Sequence, residues 1–154
     1  MAVRAAELRR RQALAYRRIL VPLNSEEESE TAMALAAELA DDHGSTITAV
    51  VVVEVPAALP LDAHMLEDEA AAKGVLEEAR AIGYARGVNV HTRVLRARLA
   101  GEAIVEEAEH CQTDLVVLRA PRSGRRRRLF GKTANFVLKH APCRVMVEAP
   151  PPRL

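Results

Sequence analysis

The chain has 154 residues, enough for one domain around one substantial core. Hydrophobic residues make up 49%, yet no apolar run approaches the ~18 residues of a membrane span. The basic start also lacks the apolar core of a signal peptide, so the expectation is a cytoplasmic domain. The net charge is only +1, but it is unevenly spread. Residues 1–18 carry Arg4, Arg9, Arg10, Arg11, Arg17 and Arg18 against Glu7 alone, and residues 119–132 hold seven basic residues and no acid. Two basic segments on an otherwise acidic chain point to an anionic partner there; a solvated loop and a solvated terminal helix would account for them equally well.

In chain order, residues 1–17 read as a basic helical lead, 18–149 as the folded domain and 150–154 as a tail. Arg18 to Leu23 is a short apolar strand, with Pro22 suited to its end. Ser25 to Glu28 reads as a capping box, with three acids favouring the first turn of a helix that runs to about Asp42. Gly44 suits its stop, and His43 the negative end of the helix. Thr46 to Val55 contains Val50 to Val53, an uninterrupted β-branched run that predicts a parallel strand buried on both faces. A proline-bearing loop follows from Pro56 to Leu61. Leu66, Ala70, Val75, Leu76, Ala79 and Ile82 recur at helical spacing, which predicts a helix from about Ala63 to Arg86, ended by Gly87.

Val88 to Val94 alternates apolar and polar residues, which predicts a half-exposed strand at a sheet edge. A third helix is expected over Gly101 to Gln112, with Glu102, Glu106, Glu107 and Glu109 on its wet face. Asp114 to Leu118 reads as a buried strand. A basic loop, a helix over Phe130 to Lys139 and a second buried strand over Arg144 to Glu148 follow. Strict alternation of strand and helix implies a parallel sheet with right-handed crossovers and helices on both faces. Where the strand order reverses, the ends of strands one and four come together, and a ligand should sit there.

Gly131-Lys132-Thr133 resembles the end of a P-loop, but the glycine required five residues earlier is Arg126. The loop also follows the fourth strand rather than the first, so nucleotide hydrolysis of that type is excluded. Backbone N–H groups at this helix start, with Lys132, could hold one anion; the alternative leaves Lys132 in solvent. Arg125 to Arg128 suits phosphate or an anionic membrane surface. Nucleic acid is the less favoured partner, because only Phe130 among the aromatics lies near these arginines. His110 with Cys111, and His140 with Cys143, lack zinc-site spacing. The two cysteines are expected to be reduced, in buried or half-buried positions. No serine–histidine–acid set and no paired carboxylates in an apolar cleft can be assembled, so the expectation is a protein that is not an enzyme.

Arg18-Ile-Leu-Val-Pro-Leu-Asn-Ser-Glu-Glu-Glu-Ser, with Phe130-Gly131 and Val137-Leu-Lys-His-Ala-Pro-Cys143, resembles the universal stress protein family across nearly all of residues 18–147. The resemblance implies a five-stranded α/β sheet of order 3-2-1-4-5, of the adenine nucleotide alpha hydrolase-like type, here with an extra N-terminal helix. It also implies a homodimer through the last strand, Arg144 to Glu148. Many members bind ATP through three spaced glycines followed by a small hydroxyl residue. With Gly131 as the third, Leu118 and Pro121 replace the other two, Lys132 takes the hydroxyl position, and Thr133 follows. Leucine blocks close approach and proline offers no N–H, so the usual phosphate cradle is broken. The family's aspartate after the first strand is Asn24, which is neutral. Pro22 and Val52 match positions lining the base pocket, and Arg119 with Lys132 would replace backbone N–H groups by charged side chains. An adenine nucleotide such as ATP or AMP, or another anion, is therefore the implied ligand.

The arginines followed by Leu129-Phe-Gly-Lys-Thr133 are similar to a subset of these domains fused to amino-acid permeases and cation transporters. That similarity implies a regulatory or stress-response role near a membrane transporter, at the inner face of the membrane. The alternatives are an ATP-binding member with weak hydrolysis and a basic membrane-surface adaptor.

Overall fold

The computed structural model describes residues 4, 16–24, 26–40, 44–120 and 131–149, without the side chains of residues 26–28. Strand β1 is Arg18–Pro22, helix α1 Glu26–Leu39, β2 Thr46–Glu54, α2 Leu66–Ala85 and β3 Asn89–Ala97. Helix α3 is Ala100–His110, β4 Leu115–Arg119, α4 Gly131–His140 and β5 Arg144–Glu148. All five strands are parallel, in the order β3-β2-β1-β4-β5. The expected sheet, its order and its alternation with helices are those observed.

The period-two alternation of a strand sends its side chains to opposite faces and so builds two cores. Ile19 and Val21 of β1, Ile47, Ala49, Val51 and Val53 of β2, and Leu115 and Val117 of β4 point to one face. There they meet Ala32, Met33 and Ala36 of α1 and Ala72, Val75, Leu76 and Ala79 of α2. Leu20, Val50, Val116 and Leu118 point the other way, onto Ile104 and Ala108 of α3 and Ala134 and Val137 of α4. This two-sided burial is why the central strands carry continuous valine and leucine runs. Each fully buried aliphatic side chain contributes about 1.5–3 kcal/mol.

The elements differ from expectation at several points. Helix α1 stops at Leu39, because Ala40 forms a parallel bridge with Tyr16, whose N–H donates to the Leu39 carbonyl at 3.0 Å. Helix α2 begins at Leu66 rather than Ala63, since the Ala63 N–H is used in a turn to the Pro60 carbonyl at 3.0 Å. Strand β3 extends beyond Val94, because its pairing with β2 continues through Arg96↔Val53 and Ala97↔Glu54. Strand β5 is half-buried rather than buried, as it lies at the sheet edge with β4 as its only described neighbour. Glu107 leaves the expected wet face of α3: it is buried at 6% exposure, where Arg93 donates to Oε1 at 2.5 Å.

Residues 16–18 are tied to the sheet and its core. Tyr16 packs against the larger core, and the backbone N–H groups of Arg17 and Arg18 donate to the Asp114 carboxylate at 3.0 and 3.1 Å. The remainder of the helical lead apart from Arg4, the Ser25 cap, Asp42, His43, Pro121, the Arg125–Arg128 run, Phe130 and the 150–154 tail lie outside the described residues.

Candidate functional site

The ends of β1 and β4 part company at the centre of the sheet. After β1, the Leu23 N–H donates to the Val50 carbonyl of β2 at 2.8 Å. After β4, the Ala120 N–H donates to the Glu148 carbonyl of β5 at 2.7 Å. The two strands pair with each other only at Ile19↔Leu115 and Leu20↔Val116. One chain therefore leans toward β2 and the other toward β5, which opens a crevice at the point where the strand order reverses.

That crevice is a cleft of about 920 Å³, large enough for a nucleotide-sized ligand. Pro22, Asn24, Val52, Arg119, Gly131, Lys132 and Thr133 all line it. Three strands and one helix, with Asn24 just beyond β1, thus bring together every site residue expected from the sequence. Asn24 is exposed at the end of β1, and Arg119 ends β4. Helix α4 begins at the cleft with Gly131, whose φ of +71° explains the glycine: an L side chain would be strained there, although space is free around it. The positive dipole end of this ten-residue helix suits an anion, and Lys132 adds a charge. The side chains of Asn24, Lys132 and Thr133 make no hydrogen bond or ion pair with another described residue.

Leu118 stands where the resemblance expects a glycine. Its side chain is 5% exposed, belongs to the smaller core and forms part of the cleft wall. The cleft is therefore walled by an aliphatic side chain where the resemblance expects a glycine, and Arg119 and Lys132 are among its lining residues.

Sequence reasoning missed the opposite wall. Ala71, Ala72 and Val75 of α2 and Ile104 of α3 give it an apolar lining, and Glu54 and Asp68 add two carboxylates. Small residues at helical spacing in α2 were the available signal for a helix face close to a ligand. Glu54 Oε1 accepts the Ala100 N–H at 3.1 Å and so caps α3.

The thiols lie away from the cleft. Cys111 Sγ donates to Glu107 Oε1 at 3.3 Å; burial, then that carboxylate, pushes its pKa up. Burial, helped by Asp114, does the same to Cys143. The His140 ring lies 4.4 Å from that of Phe136. Among the described residues, no group of three or more His, Cys, Asp or Glu could hold a metal, and no helix is long and apolar enough to cross a membrane.

The model of the universal stress protein family matches residues 15–147. The chain is 30% identical over 145 residues to the universal stress protein MJ0531 of Methanocaldococcus jannaschii, covering 88% of this chain and 84% of that protein. It is similar in fold to a universal stress protein from Archaeoglobus fulgidus, with a TM-score of 0.72 and 23% identity over 86% of this chain and 98% of the other. A structure of the universal stress protein from the same organism in complex with dAMP gives 0.69 and 22%, over 86% and 97%. The family match covers the sheet up to Val147, and from it and the identity to a curated relative it follows that this chain belongs to the universal stress protein family.

Proposed function

We propose that this protein is a non-catalytic regulatory or stress-response domain that binds an adenine nucleotide in the cleft above β1 and β4 and acts as a homodimer. One observation carries the reading: a single cleft gathers an apolar floor, a helix N-terminus, Arg119 and Lys132 at the switch point of the sheet. Similarity in fold to a protein complexed with dAMP supports the same ligand class. With Leu118 in a glycine position, charged side chains would hold the phosphate in place of a backbone cradle.

The dimer reading rests on β5. Its outer edge has no described partner strand, and Val145, Met146 and Val147 are only half-buried, which suits edge-to-edge pairing with a second copy. Cytoplasmic placement and contact with a membrane transporter belong to the same reading, supported by the arginine pattern after β4.

Thermal unfolding with AMP, ATP and cyclic AMP, each at low and moderate salt, tests it. At 100 times its Kd a ligand should stabilise the fold by about 2.7 kcal/mol. A shift specific to adenine compounds that survives moderate salt is expected. Equal shifts with inorganic polyphosphate, erased by salt, would refute nucleotide recognition.

A further inference from the structure

Strand β5 reads Arg144-Val145-Met146-Val147-Glu148, a run that mirrors about Met146 with the sign of its charge reversed. Laid antiparallel against a second copy, with Met146 on the two-fold axis, it sets Arg144 opposite the partner's Glu148 at both ends. Val145 then lies opposite the partner's Val147, so apolar pairs fill the space between the two ion pairs. A parallel pairing would instead set like charges against each other, which is destabilising. The other edge of the sheet lacks this complementarity. Strand β3 carries His91, Arg93 and Arg96 and no acid, so two copies of it would bring cations together.

Alternation along the strands fixes the side of the sheet these charges take. Met146 packs against the larger core and Val145 and Val147 against the smaller, so Arg144 and Glu148 share the α1 side with Met146. On β4, Val117 belongs to the larger core and Leu118 to the smaller, which puts Arg119 on that same side. Arg119 is level with Glu148, one strand spacing of ~4.8 Å away, and the Ala120 N–H closes the register on the Glu148 carbonyl at 2.7 Å. Glu148 Oε2 is buried and receives no hydrogen bond among the described residues, which leaves a carboxylate short of donors beside Arg119. Arg144 is exposed and spends one N–H on Tyr16 Oη at 3.2 Å, with the rest of its donors left over.

We infer that Arg144 of the partner subunit completes Glu148 across an antiparallel β5–β5 seam, and that the resulting row of Arg119, Glu148 and the partner's Arg144 couples dimer formation to anion binding in the cleft. Within one protomer, the cation of Arg119 and the anion of Glu148 cancel. With the partner's Arg144 on the same carboxylate, one positive charge is left over. Arg119, which lines the cleft, is the member that meets a ligand. This rests on the nucleotide and homodimer readings above and adds to them the register of the dimer and a link between seam and cleft.

Sedimentation of the full chain over a concentration series tests the seam. Arg144→Glu and Glu148→Arg each set like charges opposite one another, and each alone is expected to weaken the dimer at least about tenfold. Mixed in equal amounts, the two variants should form a heterodimer, because each supplies the charge the other lacks; this rescue also shows that both are folded. Titration of AMP tests the coupling. Arg144→Gln, which lies outside the cleft lining, should weaken AMP binding at least about fivefold, and AMP should tighten the unaltered dimer by a matching factor per bound ligand. A dimer that neither reversal weakens, or a loss that mixing does not rescue, would overturn the seam and leave the dimer reading intact. Equal AMP affinity in Arg144→Gln and the unaltered protein would overturn the coupling. A monomer at every concentration would instead refute the underlying dimer, and absence of AMP binding to the unaltered protein the underlying site.

Discussion

The two faces of the sheet are packed very differently, and the cleft borrows a wall from each. Among the described residues, sixteen buried side chains form the core under α1 and α2, and eight form the core under α3 and α4. Ala72, Val75, Val51 and Val53 tie the acidic and apolar wall to the larger core. The wall of Lys132 and Thr133 rests on α4, where only Ala134 and Val137 are buried. The wall built on α2 and β2 is thus anchored in the larger core. The wall that carries Lys132 and Thr133 stands on a helix with fewer buried anchors.

The largest effect should come from cutting the same groups out of each face. Ile19→Ala in the larger core and Ile104→Ala in the smaller are each expected to cost about 2–5 kcal/mol, with Ile19→Ala the greater loss. Denaturant midpoints at unchanged slope decide the order, and Ile104→Ala as the costlier change would break the comparison. The next effect sets Gly83→Ala against Gly101→Ala. A Cβ on Gly83 would lie 2.1 Å from Val90 Cγ2, while one on Gly101 would lie 2.8 Å from Phe136 Cβ. Overpacking of the first kind costs about 1–3 kcal/mol. The second should cost less, because α4 can shift; equal losses of thermal stability would argue that α4 is as firmly held as α2.

Gly131→Ala is expected to cost about 1–2 kcal/mol through its left-handed backbone and to weaken nucleotide binding severalfold. Unchanged affinity, measured by titration, would detach the start of α4 from the site. The smallest effect concerns pH. Both thiols titrate above the ordinary cysteine range, so the unfolded chain loses those protons first. Their contribution to stability is present below the ordinary thiol pKa and falls away as pH climbs from there through the folded values. Alkylation near pH 8 should accordingly be slower than for a free thiol, which a timed iodoacetamide reaction measures.

Much of this architecture was legible in the residues. Val50 to Val53 demanded a strand covered on both faces, and the strict alternation of elements then placed Asn24 and Arg119 at one switch point. The acidic wall was not legible, because Glu54 reads as the end of a strand and Asp68 as one of three acids suiting a helix dipole. Only the assembled fold puts both on the lining of the cleft that also holds Arg119. Glu107 was misread for a similar reason: the other acids of the helix, Glu102, Glu106 and Glu109, are exposed, and its partner Arg93 comes from β3, distant in sequence.

Titration of AMP into the unaltered protein and into an Arg119→Gln, Lys132→Gln variant tests the central claim most directly. Saturable binding at one site per chain that persists at moderate salt, and is weakened at least tenfold in the variant, is the predicted result. Absence of binding to the unaltered protein, or equal binding by both, would contradict the assignment of the cleft.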